Sequence, residues 1–137
     1  MAKREILFRG KVKGTGEWVY GNLIHRVDEI HVQESNELYI SDYICEFDAV
    51  CLEYEVDSDT VGQYTGIKDA KGVKIFEGDI IVRQAYPYII QYHEEYSQFV
   101  AVPKPDVTIA FYQKWVNECG LVVVGNVHEH SELIKTE

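Results

Sequence analysis

Residues 61–81 read Val61-Gly62-Gln63-Tyr64-Thr65-Gly66-Ile67-Lys68-Asp69-Ala70-Lys71-Gly72-Val73-Lys74-Ile75-Phe76-Glu77-Gly78-Asp79-Ile80-Ile81. Four glycines, three lysines and three acids in this run admit three readings: a phosphate-cradling loop, a metal loop, or tight turns between strands. Spacing decides between them. A P-loop ends in Gly-Lys-Ser/Thr and opens a helix, whereas Gly72 precedes Val73-Lys74-Ile75 and further strand formers. No GxGxxG joins a strand to a helix here. Asp57-Ser58-Asp59-Thr60-Val61-Gly62 begins like a calcium loop, but Val61 has no side-chain oxygen to offer, and Lys68 stands where a bidentate Glu belongs. The turn reading remains. Asp69-Ala70-Lys71-Gly72 has tight-turn composition, with Asp able to bond its own backbone and Gly able to take positive φ. Ile67 and Ile75-Phe76 supply the apolar arms, and Glu77-Gly78-Asp79 makes a second turn or bulge before Ile80-Ile81-Val82.

Strand signals dominate on either side. Ile6, Phe8 and Val12 alternate with Leu7, Arg9, Lys11 and Lys13, giving one apolar and one cationic face. Gly14-Thr15-Gly16 turns the chain, and Trp18 to Val27 reads as the return strand of a hairpin. A short run, Leu38 to Ile40, follows a polar loop. From Val50, the residues Leu52, Tyr54 and Val56 alternate with Cys51, Glu53 and Glu55 as a half-buried strand with an acidic outer face. Further strands are expected at Ile80–Arg83, Ile89–His93, Phe99–Val102 and Leu121–Val127, with Pro103 and Pro105 marking a loop. Residues 107–119 are ambiguous between strand and helix, since Ile109, Tyr112, Trp115 and Val116 roughly fit a helical stripe. Ser131 could cap a last turn at Glu132-Leu133-Ile134. The expected fold is mostly β with minor α: small barrel-like or sandwiched antiparallel sheets and a short C-terminal helical turn. The 137 residues suit one domain, 1–137, with a possible division into a 1–60 β meander and a 61–137 barrel-like part.

Charge narrows the functional classes. The net charge is −10, yet residues 1–27 carry six Lys/Arg against two acids, while residues 28–59 carry eleven Asp/Glu and no Lys or Arg. So acidic a chain is a poor wrapper of nucleic acid phosphates, which require a concentrated cationic face. The acid-only segment could instead pair with the basic arm of Lys3, Arg4, Arg9, Lys11 and Lys13, within a chain or between chains. Arg9, Lys11, Lys13, Glu53 and Glu55 are therefore candidate interaction residues. No apolar run approaches the roughly 20 residues of a membrane span, and no secretory signal is visible, so a cytoplasmic location is expected.

The remaining chemistry-bearing residues form no recognisable constellation. Cys45, Cys51 and Cys119 have no CxxC spacing and read as buried reduced thiols. His128 and His130 could share a strand face, but they lie where the last strand ends, and no third ligand can be placed. Tyr86, Tyr88 and Tyr92 share a face with Ile90 if extended, which suits packing or a subunit contact better than base stacking. No GxSxG or comparable nucleophile signature is present. No catalytic, cofactor-binding or metal-binding residue is assigned, and no cofactor is expected.

Three ordered segments resemble the YopX family of phage and prophage proteins. They are Arg4-Glu5-Ile6-Leu7-Phe8-Arg9-Gly10 with Glu17-Trp18-Val19-Tyr20-Gly21-Asn22-Leu23, the opening stretch, and Val124-Gly125-Asn126-Val127 followed by Glu132-Leu133-Ile134. The match within the opening stretch rests on Gly62, Gln63, Tyr64, Gly66, Asp69, Gly72, Phe76, Glu77, Gly78 and Asp79, joined near the end by Gly125 and Asn126. His128, His130 and Ser131 stand where the pattern has an aromatic, an Asn and a Pro. The resemblance implies a mostly-β phage-encoded protein with no established activity, so no catalytic residue carries over and the motif residues serve the fold. The expected function is a non-enzymatic accessory module that binds protein, as a homo-oligomer or with a host or phage partner. The alternative is a small nucleic-acid-binding β-barrel protein.

Overall fold

The computed structural model describes residues 4–32, 35–46 and 52–134, with backbone alone for 28–32 and 35–39. The chain divides into two compact units, Ile6–Gln63 and Met1–Glu5 with Tyr64–Glu137.

The first unit is an antiparallel meander. Strands β1 (Phe8–Lys11), β2 (Trp18–Val32), β3 (Ser35–Cys45) and β4 (Glu53–Val56) pair in sequence, and Gly62 and Gln63, which open β5 (Gly62–Lys68), pair with the other side of β1. The hairpin β2–β3 is far longer than the sequence reading, running in unbroken register from Asn22 opposite Cys45 to Val32 opposite Ser35. Asp28 and Glu29 have poor strand propensity, but cross-strand pairing to Tyr39 and Leu38 overrides it. Ile44 and Val56 are fully buried and gather Val19, Phe8, Val12, Leu23, Tyr54 and Val61 into a small core. The alternation expected at the start of the chain is reversed in part. Leu7 and Arg9 are buried and Ile6 is exposed, so β1 has no free cationic face. Lys3, Val50 and Cys51 lie outside the described residues, as do the side chains at 28–39.

The second unit holds the rest of β5, then β6 (Lys74–Phe76), β7 (Asp79–Arg83), β8 (Tyr86–His93), β9 (Gln98–Lys104), β10 (Val107–Ala110), helix α1 (Gln113–Cys119), β11 (Val122–Asn126) and a 3-10 turn at Ser131–Ile134. Strands β5 and β6 form a hairpin about the Asp69–Gly72 turn. The other five strands form an antiparallel sheet in the order β10-β9-β8-β7-β11, and register shifts interrupt both outer strands, at Val107–Ile109 and at Val123–Gly125. The sheets are open and not closed into a barrel, which corrects the barrel-like part of the expectation. The ambiguous residues 107–119 resolve into a strand followed by a helix. Ile75, Ile81, Ile90, Ala101, Val116 and Leu121 make the buried centre, with Phe111 at its margin, and helix α1 covers one sheet face through Val116 and Trp115. Tyr88 meets Trp115 edge-on at 5.6 Å between ring centroids. Burying such side chains is the dominant stabilisation, about 1.5–3 kcal/mol for each large one. Among the described residues, no helix is long and apolar enough to cross a membrane.

Candidate functional site

The two aspartates of the 61–81 stretch point at the backbone. Asp69 is 5% exposed. Its Oδ1 accepts the amides of Lys71 at 2.8 Å and Val73 at 2.9 Å, and its Oδ2 accepts the amide of Val123 at 3.0 Å. Its own amide donates to the Val73 carbonyl at 2.7 Å. Three N–H donors on one carboxylate offset its removal from water. The neighbouring Ala70 amide donates to the Leu121 carbonyl at 2.9 Å, so the turn is tied to the start of β11 twice.

Asp79, also buried, accepts the Phe76 amide at 2.7 Å and closes the Glu77-Gly78 turn. Gly78 has φ +91, donates to the Ile90 carbonyl at 2.7 Å and accepts from the Val127 amide at 2.9 Å. A side chain here would be strained and would meet the His128 ring at 3.3 Å. Asn126, paired in register with Asp79, accepts the amides of His128 and Glu129, both at 3.0 Å. Its own amide donates to His130 Nδ1 at 3.1 Å. A Cβ on Gly125 would stand 2.7 Å from the His130 ring. His128 and His130 thus lie over Gly78 and Gly125. Among the described residues, no group of three or more His, Cys, Asp or Glu is placed to hold a metal.

The other motif residues pack or shape turns, with Gly66 and Gly72 exposed. Gly62 and Gln63 pair with Arg9 and Phe8 across the sheet. Tyr64 is buried against Phe76 at 5.7 Å between centroids, with the Lys74 ammonium 5.6 Å from its ring. Burial pushes the Tyr64 hydroxyl above its ordinary pKa and the Glu5 carboxylate pushes the same way, while Lys74 opposes both. Gly66 and Gly72 take positive φ, and Glu77 is half-buried in the second turn. Gln113 was not singled out by the sequence, yet its side-chain amide bonds both backbone groups of Lys68, at 3.0 and 2.7 Å, and seats α1 on the end of β5. It lies in the middle of the ambiguous segment 107–119, where no sequence signal marks it.

The candidate interaction residues have partners within the chain. Arg9 is 6% exposed, with its guanidinium 4.6 Å from the Trp18 ring centroid, and Lys11 approaches the same ring at 5.8 Å. Lys13 pairs with Glu55 at 3.0 Å and Arg26 with Glu53 at 2.8 Å. His25 lies 2.6 Å from Asp42. Burial raises the Asp42 pKa, but hydrogen bonds from His25 and Ser58 and the charge of His25 outweigh it, leaving the carboxyl below its ordinary value. Cys119 is free and half-buried, whereas Cys45 is disulfide-bonded, which corrects the expectation of reduced thiols throughout.

Two surfaces of the second unit remain open. At the tip of the β8–β9 hairpin, Tyr92 meets Phe99 edge-on at 5.5 Å and His93 stacks on Tyr96 at 4.3 Å. Tyr92 and Tyr96 are 47% and 61% exposed, and Glu94 and Glu95 lie between them. Tyr88, by contrast, belongs to the core. The second surface is a cavity of about 250 Å³ beside β8 and β9, lined by Pro87, Ile89, Val102 and Lys104, with Ile134 of the terminal turn as a further wall. Pro103 and Pro105 were expected to mark a loop; Pro103 instead lies within β9, and both line this cavity.

The crystal structure of protein EF1440 from Enterococcus faecalis is similar at TM-score 0.59 and 22% identity, covering 97% of this chain and 100% of that one, a likeness of fold alone. No curated protein gives a significant match. The family model described as YopX protein matches residues 7–135, taking in nearly the whole chain and every turn described above. The chain belongs to the YopX family.

Proposed function

We propose that the chain is a non-enzymatic binding module of phage or prophage origin that works through protein–protein contacts in the cytoplasm. The observation that carries this reading is the aromatic tip of the β8–β9 hairpin, where Tyr92 and Tyr96 are exposed on rings already held by Phe99 and His93. Tyrosines so held offer a large amphipathic contact area with little further loss of side-chain freedom, which suits a protein interface. Glu94 and Glu95 beside them would repel a phosphate backbone, which favours a protein partner over nucleic acid. The partner is a second copy of the chain or another phage or host protein. The motif aspartates add no rival chemistry to this reading, because Asp69 and Asp79 are both taken up by backbone amides.

The test compares wild type with Tyr92→Ser/Tyr96→Ser by sedimentation and by retention of proteins from a bacterial host lysate. Self-association or a retained protein that the double variant loses, with its melting temperature kept, supports the proposal. Equal behaviour of the two proteins overturns it. Salt-dependent binding of wild type to oligonucleotides would favour the nucleic-acid alternative.

A further inference from the structure

The cavity beside β8 and β9 combines three properties. Its walls are stiff, since Pro87, Pro103 and Pro105 are all the prolines of the chain and their fixed φ lowers the cost of holding the cavity open. Its lining is otherwise aliphatic, from Ile89, Val102 and Ile134. Among the described residues, its one charged lining residue is Lys104, which makes no ion pair, and no acid lines the cavity. In a chain of net charge −10, an apolar cavity whose sole charge is a cation is selective in sign.

The register explains how this arises. Ile89 and Val102 are direct cross-strand neighbours, and Pro87 lies two residues before Ile89 while Lys104 lies two residues after Val102. The four therefore share one face of the sheet. Ile90 and Ala101, the next cross-strand pair, face the opposite way into the core under helix α1. The cavity is thus on the sheet face that the helix does not cover.

We propose that this cavity binds a small amphiphilic carboxylate, with its aliphatic or aryl body against Ile89, Val102 and the prolines and its carboxylate on the Lys104 ammonium. A volume of 250 Å³ falls below the range of about 300–1,000 Å³ typical of drug-sized ligand sites, which limits the ligand to about ten heavy atoms. The site is separate from the hairpin tip.

Octanoate is the probe and octanamide its neutral control, each titrated into full-length protein while backbone amide resonances are followed. Octanoate should shift the resonances of Ile89, Val102 and Lys104 with a dissociation constant of about 1 mM, the range open to so small a ligand. Lys104→Met keeps most of the apolar stem and removes the charge. It should weaken octanoate about tenfold, the loss of one charge-assisted contact, and leave octanamide within about twofold. No shift at these residues up to about 10 mM, the value expected without the charge, overturns the proposal. So do equal losses for the two probes, or shifts centred elsewhere on the protein.

Discussion

Asp69 accepts the Val123 amide at 3.0 Å, joining two segments 54 residues apart through a single carboxylate that also holds the amides of its own turn. Replacement by Ala leaves three backbone donors without their acceptor in a site that is almost closed to water. Asp69→Ala should cost about 2–4 kcal/mol, an unsatisfied buried donor costing about 1–3 kcal/mol before water relieves part of the loss. Urea denaturation followed by circular dichroism measures it, and a loss below about 1 kcal/mol would show the carboxylate to be dispensable.

Gly78→Val should lower the melting temperature. The position needs φ +91, and both of its backbone groups are engaged, so the turn has no easy route to relax. Left-handed strain costs about 1–3 kcal/mol in a non-glycine residue, and a branched Cβ adds crowding against His128. An unchanged melting temperature would show that the turn tolerates another conformation.

Stability should fall at alkaline pH through Tyr64. Its hydroxyl titrates higher in the folded protein than in the unfolded chain, because burial and Glu5 disfavour the phenolate. A raised folded value contributes stability that is fully present below the unfolded value of about 10 and is lost as pH rises through the folded value. Tyr64→Phe should flatten the alkaline limb of a stability-versus-pH curve. An unaltered limb would assign the alkaline loss to other groups.

Charge reversal at Glu53 and Glu55 should change stability less than Asp69→Ala does, and should leave any captured partner in place. Their pairs with Arg26 and Lys13 are exposed, and such pairs contribute little. Loss of the partner in a folded Glu53→Lys/Glu55→Lys variant would move the interaction surface from the hairpin tip to β4.

Much of the fold was legible because its signals are local. Asp69-Ala70-Lys71-Gly72 and Glu77-Gly78-Asp79 announce turns through residues whose backbone needs are specific, and both turns form. The length of β2–β3 was hidden because Asp28 and Glu29 look unlike strand residues, and only pairing with Tyr39 and Leu38 on the partner strand makes them so. The face of β1 was misread for a related reason: Arg9 finds Trp18, an aromatic surface that periodicity does not reveal. The hairpin tip was half legible. Tyr86, Tyr88 and Tyr92 do share a face, but α1 packs on Tyr88 and leaves Tyr92 at the open end. The cavity was invisible, since it depends on Ile89 lying opposite Val102.

The register shifts at Val107–Ile109 and Val123–Gly125 interrupt both rims of the five-stranded sheet. At one rim the extra residue lies in the outer strand β11, and at the other it lies in β9, beside the outer strand β10; each bends its ladder and breaks the even spacing that an incoming chain would need to copy. Neither rim of this sheet is an even ladder among the described residues, and such unevenness disfavours edge-to-edge pairing between chains crowded together during synthesis.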